Sequence, residues 1–241
     1  MNAVYFLNQE VGWIGGDRLF RTIDGGQNWQ FTNNAAVKSM VFLDQNAGFL
    51  VGDADRTLYN TTTSGEVWVK VAGIESFIDK VWFIDKTHGW AAGDFVYRTT
   101  DGGSTWTRGT PQIGFGDGRF IVYDLNFTDL NHGWVIAGRP SLSGRLYITN
   151  DGGRTFKQAL FSGAGNVLRS VYFHPDSSGW AVTDKGSFVQ TADGGKNGVR
   201  QGDRKFQPLT KVNFIGDFGY AFGASGNSGA SLGFYIYRPA N

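Results

Sequence analysis

The chain has 241 residues, of which 41% are hydrophobic and 15% aromatic, enough for a packed core and against disorder. Its 22 basic and 21 acidic residues leave a formal charge of +1, so no overall pull draws it to nucleic acid or an anionic membrane. There is no cysteine, which excludes disulfides, thiolate metal sites and cysteine nucleophiles, and no apolar run approaches the ~18 residues of a membrane helix.

Met1–Ala3 lead into a strand-like segment without a basic start, apolar stretch and cleavage site. The expected compartment is extracytoplasmic if a signal segment has been trimmed, and cytoplasmic otherwise. A phrase then begins at Val4-Tyr5-Phe6, passes a polar turn and reaches Gly12-Trp13. The loop residues Asp17-Arg18 follow, then Thr22-Ile23-Asp24-Gly25-Gly26-Gln27-Asn28-Trp29. The phrase returns at Met40-Val41-Phe42 with Gly48-Phe49, the loop Asp53-Ala54-Asp55-Arg56, and Thr61 to Trp68, where Thr63 replaces the aspartate. It returns again at Val81-Trp82-Phe83 with Gly89-Trp90, Asp94 and Thr99-Thr100-Asp101-Gly102-Gly103-Ser104-Thr105-Trp106. In this third unit four short strands are expected, at Val81–Ile84, Gly89–Ala92, Val96–Thr99 and Thr105–Arg108.

The fourth unit runs from Leu125-Asn126-Phe127 through Gly133-Trp134 and Arg139-Pro140-Ser141 to a box at Thr149, Asp151 and Phe156. The fifth starts at Val171-Tyr172-Phe173, with Gly179-Trp180, Asp184-Lys185 and a box at Asp193 that has Gly198 at the aromatic position. The sixth, from Val212-Asn213-Phe214 and Gly219-Tyr220, has no box, and its third strand is expected at Gly233 to Arg238. Four short strands in each repeat of ~40 residues are the dimensions of a propeller blade. A lone blade cannot bury both faces, so neighbours must stack. The expected fold is all-β, a six-bladed β-propeller of four-stranded antiparallel blades with the last three-stranded. It forms a single domain over 1–241, with repeats starting near 4, 40, 81, 125, 171 and 212.

In each box the carboxylate can accept N–H bonds from its own turn, glycines permit positive φ, and the closing aromatic can bury its ring between sheets. These units resemble Asp-box (BNR) repeats. The fuller pattern, seen in Phe83-Ile84-Asp85, Gly89-Trp90, Gly93 and Thr99 to Trp106, is similar to the photosystem II stability and assembly factor-like proteins over nearly the whole chain. The resemblance implies a rim position and a structural role for Asp24, Asp101, Asp151, Asp193, Trp29, Trp106 and Phe156. It also implies a non-catalytic scaffold that presents a loop face to a protein partner.

Ligand-face candidates come from the second-to-third strand loops and the connections between blades: Asp17, Arg18, Asp53, Asp55, Arg56, Asp94, Arg119, Arg139, Arg169 and Asp184. A glycosidase needs two carboxylates ~5–10 Å apart, one with a raised pKa, and the loop aspartates could supply them. The alternative reading is therefore a carbohydrate-active propeller, either a glycan-binding module or a glycoside hydrolase. His88, His132 and His174 fall one to a blade, too far apart for a shared zinc. No cofactor, metal, catalytic residue, nucleic-acid partner or membrane insertion is expected; a protein partner comes first and a glycan second.

Overall fold

The computed structural model describes residues 2–109, 121–139, 144–159, 167–201, 208–215, 218–223 and 233–237. All regular structure among them is β, in six antiparallel sheets whose strands pair in chain order. Sheet 1 comprises β1 (Ala3–Phe6), β2 (Gly12–Gly15), β3 (Leu19–Thr22) and β4 (Gln30–Asn33). Sheet 2 comprises β5 (Val37–Phe42), β6 (Gly48–Gly52), β7 (Leu58–Thr61) and β8 (Val69–Lys70). Sheet 3 comprises β9 (Ile78–Phe83), β10 (Gly89–Gly93), β11 (Val96–Thr99) and β12 (Thr107–Arg108). Sheet 4 comprises β13 (Ile121–Phe127), β14 (Gly133–Gly138), β15 (Arg145–Thr149) and β16 (Lys157–Gln158). Sheet 5 comprises β17 (Leu168–Phe173), β18 (Gly179–Thr183), β19 (Phe188–Thr191) and β20 (Val199–Arg200). Sheet 6 has three strands, β21 (Lys211–Ile215), β22 (Phe218–Gly223) and β23 (Gly233–Tyr237). The chain divides into two compact units, Met1–Ile113 with sheets 1 to 3 and Gly114–Asn241 with sheets 4 to 6.

The recurring phrase has a packing explanation. The phenylalanine that ends each first strand pairs in register with the glycine that opens the second, as in Phe42↔Gly48 and Phe173↔Gly179. Its ring lies across that glycine. A Cβ at Gly48 would stand 2.6 Å from Phe42 Cδ1, and one at Gly179 would stand 2.4 Å from Phe173 Cδ1. The outer side of the ring takes the second-strand aromatic of the preceding sheet. Trp13 stacks on Phe42 at 3.6 Å between centroids and 5° between planes, and Trp134 stacks on Phe173 at 4.0 Å and 4°. Phe49 on Phe83 and Trp180 on Phe214 follow the same rule more loosely, at 5.0 and 6.0 Å.

Glycine is therefore required because the ring occupies the space of a side chain, and the aromatic that follows it is the knob for the next sheet. The indole N–H of Trp13 also donates to Ser64 O at 3.0 Å, and that of Trp134 to Gly194 O at 2.8 Å. Each bond reaches the box of the next sheet. Around these stacks lie Met40, Leu50 and Val37 between sheets 1 and 2, Val51, Leu58 and Val81 between 2 and 3, and Ile136, Leu146 and Val171 between 4 and 5.

Gly48→Ala should force the sandwiched Phe42 ring aside and cost about 1–3 kcal/mol, and Trp13→Ala should cost about 3–5 kcal/mol. The measurement is the urea midpoint. Equal midpoints for both variants and the parent would show that the stack does not hold the sheets.

Candidate functional site

The Asp-box turns have one geometry. In the third box Thr99 Oγ1 donates to Asp101 Oδ1 at 2.8 Å and accepts from Gly103 N at 2.8 Å. Asp101 then accepts from Thr105 N at 2.9 Å and Thr105 Oγ1 at 2.6 Å. Asp24, Asp151 and Asp193 do the same with Asn28, Thr155 and Asn197. Gly102 and Gly103 take φ of 70° and 86°, which glycine adopts without strain. The Gly102 N–H donates back to Thr87 O in the first turn of its sheet. In the second box the Thr63 hydroxyl replaces the carboxylate and accepts from Val67 N at 2.9 Å. The closing aromatics Trp29, Trp106 and Phe156 are half-buried rather than sealed between sheets. Trp106 stands edge-on to Phe83 of its own sheet and to Phe49 of the sheet before it.

The loop candidates fall into a second repeating arrangement. Asp17, Asp53, Asp94 and Asp184 each stand five residues after the glycine that opens the second strand of their sheet. In three sheets the backbone N–H of this aspartate donates to the connection before the first strand: Asp53 to Ala36 O, Asp94 to Phe77 O and Asp184 to Val167 O, each at 3.0 Å. These carboxylates are thus distributed one to a sheet, at the ends of the loops. Asp55 shares the loop of Asp53 and accepts from the Tyr59 hydroxyl at 2.6 Å. Together with Asn33, Leu50 and Trp68 these residues line a cleft of about 410 Å³ between sheets 1 and 2.

Arg56, expected on the ligand face, is a correction. Its φ of 53° turns the chain inward, and the side chain is 1% exposed. Its guanidinium grips Asp79 of β9 with two bonds, Nε to Oδ1 at 2.8 Å and Nη2 to Oδ2 at 2.6 Å. Lys38 of β5 donates to the same carboxylate at 2.7 Å, and Asp94 lies 3.9 Å from Arg56 Nη2. The second unit has a counterpart. Buried Asp124 of β13 accepts from Ser170 Oγ at 2.6 Å, Val171 N at 3.1 Å and Lys211 Nζ at 2.8 Å, which joins sheets 4, 5 and 6. A charged residue inside an apolar first strand was the signal for Asp79 and Asp124, and sequence reasoning missed both.

Arg169 lies over the Tyr123 ring at 4.9 Å, and the Tyr123 hydroxyl donates to Arg139 O at 3.3 Å, so these two candidate arginines share one neighbourhood. Arg119 lies outside the described residues. Among the described residues no cluster of three or more His, Asp or Glu could hold a metal ion, and no helix is long and apolar enough to cross a membrane.

Antiparallel four-stranded sheets, stacked by a repeated aromatic and closed by Asp-box turns, define an Asp-box β-propeller. No family model matches the chain. It is similar to the photosystem II assembly lipoprotein Ycf48 of Nostoc sp., with 32% identity over 204 residues that cover 78% of this chain and 56% of the relative. Ycf48 of Trichormus variabilis gives 33% over the same shares. The chain thus spans little more than half the length of the curated relatives it matches. Among solved structures, Ycf48 bound to a D1 peptide matches with a TM-score of 0.52 and 18% identity, over 98% of this chain and 92% of that one. An ancestral GH74 enzyme matches with a TM-score of 0.74 and 15% identity, over 98% of this chain and 38% of that one. At these identities the solved structures establish the propeller fold alone, and the proteins that this chain resembles in sequence are photosystem II assembly factors.

Two outcomes follow from the site. Thr105 and Asn28 bonds hold Asp101 and Asp24 at about 2, below the ordinary 3.8, and Asn197 does the same for Asp193. A depressed folded pKa contributes stability that is whole above the unfolded value and lost as pH falls through the folded one. The urea midpoint should therefore fall between pH ~4 and ~2, and less steeply in Asp101→Asn; equal slopes would deny the box this role. Arg56→Leu removes the two-bond guanidinium grip on buried Asp79 and should cost about 3–5 kcal/mol, read from the same midpoint.

Proposed function

We propose that the chain is a non-catalytic scaffold that binds a protein partner through its loop face. The observation that carries this reading is the use of its ionisable groups. Buried carboxylates are committed to joining sheets, Asp79 through Arg56 and Lys38 and Asp124 through Ser170 and Lys211. The loop carboxylates Asp17, Asp53, Asp94 and Asp184 stand one to a sheet, and Asp55, beside Asp53, is engaged by the Tyr59 hydroxyl. The carboxylates with resolved shifts, among them Asp24, Asp44, Asp101 and Asp151, move down, away from the range of a general acid. The resemblance to Ycf48 supports the same reading, and a D1 peptide is the partner class it suggests. The word lipoprotein in the relatives' name supports an extracytoplasmic setting.

Arg139 and Arg169, with Arg119, are the proposed partner contacts, since a guanidinium combines charge, a donor fork and stacking area. The loop aspartates Asp17, Asp53, Asp55, Asp94 and Asp184 complete the face, while the box residues support the fold. The higher TM-score to a GH74 enzyme makes glycan chemistry the second reading. Binding of a labelled D1 peptide should be measured by anisotropy on the parent and on the Arg119→Ala, Arg139→Ala, Arg169→Ala variant. The triple change should weaken capture by about tenfold or more. The same chain should be incubated with xyloglucan fragments and sialosides. Turnover that disappears in a single loop-aspartate variant would overturn the scaffold reading.

A further inference from the structure

The connections between sheets of the first unit differ in length. Residues 71–77 join β8 to β9, but residues 34–36 alone join β4 to β5. The longer connection covers a tyrosine. Tyr97 of β11 is buried in a cluster with Val71 and Ile74, and its hydroxyl accepts from Ser76 Oγ at 3.1 Å. Tyr59 holds the same place in β7, two residues before the threonine that opens the box. The short connection has Ala35 and Ala36 where it meets the cleft, and Tyr59 is left half-buried. The cleft of about 410 Å³ between sheets 1 and 2 is the space that this shortening leaves uncovered.

A loop of the same repeat supplies charge to the cleft. Residues 94–95 join β10 to β11, whereas residues 53–57 join β6 to β7, and the added length carries Asp55. A Cβ at Gly52 would collide with Asp55 Oδ1, so the glycine lets this carboxylate fold back over the end of β6. Asp55 accepts from Thr57 N at 3.1 Å and from the Tyr59 hydroxyl at 2.6 Å. Asp53 is exposed, and its carboxylate has no hydrogen-bond partner among the described residues. Lys38 and Arg56, the neighbouring cations in the chain, are both turned to Asp79, and no described residue that lines the cleft is basic. The cleft thus joins an apolar floor of Leu50, Ala35 and Ala36 to the rings of Tyr59 and Trp68, with two carboxylates beside them.

That combination suits a flat cation on an apolar stem. A guanidinium can lie on an aromatic ring while its N–H groups donate to carboxylates, and its weak hydration makes it the easier cation to bury. The volume is in the range of small-ligand sites, ~300–1,000 Å³. It exceeds what a guanidinium and its stem fill, and the remainder is mostly apolar, so flanking backbone enters as well. We infer that this cleft seats an arginine side chain of the protein partner, its guanidinium at Asp53 and Asp55 and its stem against Tyr59 and Trp68. The inference rests on the scaffold reading above and adds the chemistry of the partner, a basic residue in the bound segment.

The probe is the blocked tripeptide acetyl-Gly-Arg-Gly-amide, titrated to about 20 mM into the full chain. Binding is followed by two-dimensional NMR at the Trp68 indole N–H and the Ala36 and Asp53 amides. The arginine tripeptide should saturate the shifts at these three positions. Its citrulline counterpart, which keeps the shape and loses the charge, should bind about tenfold more weakly. Agmatine, with the same guanidinium and no peptide backbone, should also bind more weakly. Asp53→Asn with Asp55→Asn should weaken the tripeptide about tenfold. Ala36→Leu should block it by filling the cleft, with near-UV circular dichroism showing that both variants are folded. If Ala36→Leu unfolds, the double asparagine variant, changed at exposed positions, carries the test. No saturation by the arginine tripeptide, equal binding of the citrulline peptide, or undiminished binding in the double asparagine variant would each overturn the inference. Agmatine binding as tightly as the tripeptide would make the occupant a free organic cation and overturn it too. Failure of the scaffold reading shows in the D1-peptide and glycan assays, and this titration uses neither ligand, so the two failures are read separately.

Discussion

Within each unit three layers, glycine, phenylalanine and an aromatic from the neighbouring sheet, hold successive sheets together. The glycine has no side chain, so the phenylalanine of the adjacent strand can lie flat on it. The ring then presents its other face, and Trp13 or Trp134 settles there at close to parallel. An aromatic pair of this kind adds ~0.5–1.5 kcal/mol to the area it buries. The larger effect is positional. An indole fixed on a ring has its N–H in a fixed direction, and in Trp13 and Trp134 that direction meets a carbonyl in the next sheet's box. The box is stiffened in turn by its threonine, aspartate and glycines. Stack, strand register and turn are therefore parts of one joint.

A second joint lies at the first strands and is polar. Ser39, Asp124 and Ser170 stand at one repeat position, and each side-chain oxygen accepts the backbone N–H of the second residue along in the next sheet, Val81, Val171 and Val212. These donors would otherwise be buried without partners, which costs ~1–3 kcal/mol apiece. Where the position carries a carboxylate, a lysine from further along the chain neutralises it. The apolar joint supplies cohesion, and the polar joint specifies how far one sheet is displaced against the next.

The phrase that begins at Val4 and the boxes made the strand order legible, because both joints recur and each recurrence is local. The number of strands per sheet followed from the turns. The structural role of Arg56 was not legible. It stands in a charged loop, and only the left-handed backbone at that residue sends its side chain inward. Asp79 and Asp124 were missed for a related reason. Their partners lie 23 and 87 residues away, and no local pattern links Asp124 to Lys211. The cleft beside Tyr59 and Trp68 was likewise invisible, since it is made where two repeats meet. The half-burial of Trp106 shows the limit of motif reading: spacing located the ring without saying how deeply it sits.

Every strand pairs with the strand next to it in the chain, and within each unit the stacks join sheets that are neighbours in sequence. Most closures during folding therefore span short loops, and topologies of that kind fold quickly compared with other all-β proteins. A pair of adjacent repeats already contains a complete stack. Folding can start at any such pair and spread outward, with stability accumulating one junction at a time in the manner of a linear array. A chain still emerging from the ribosome could then begin to fold as soon as its second repeat is free, before most of the sequence has been made.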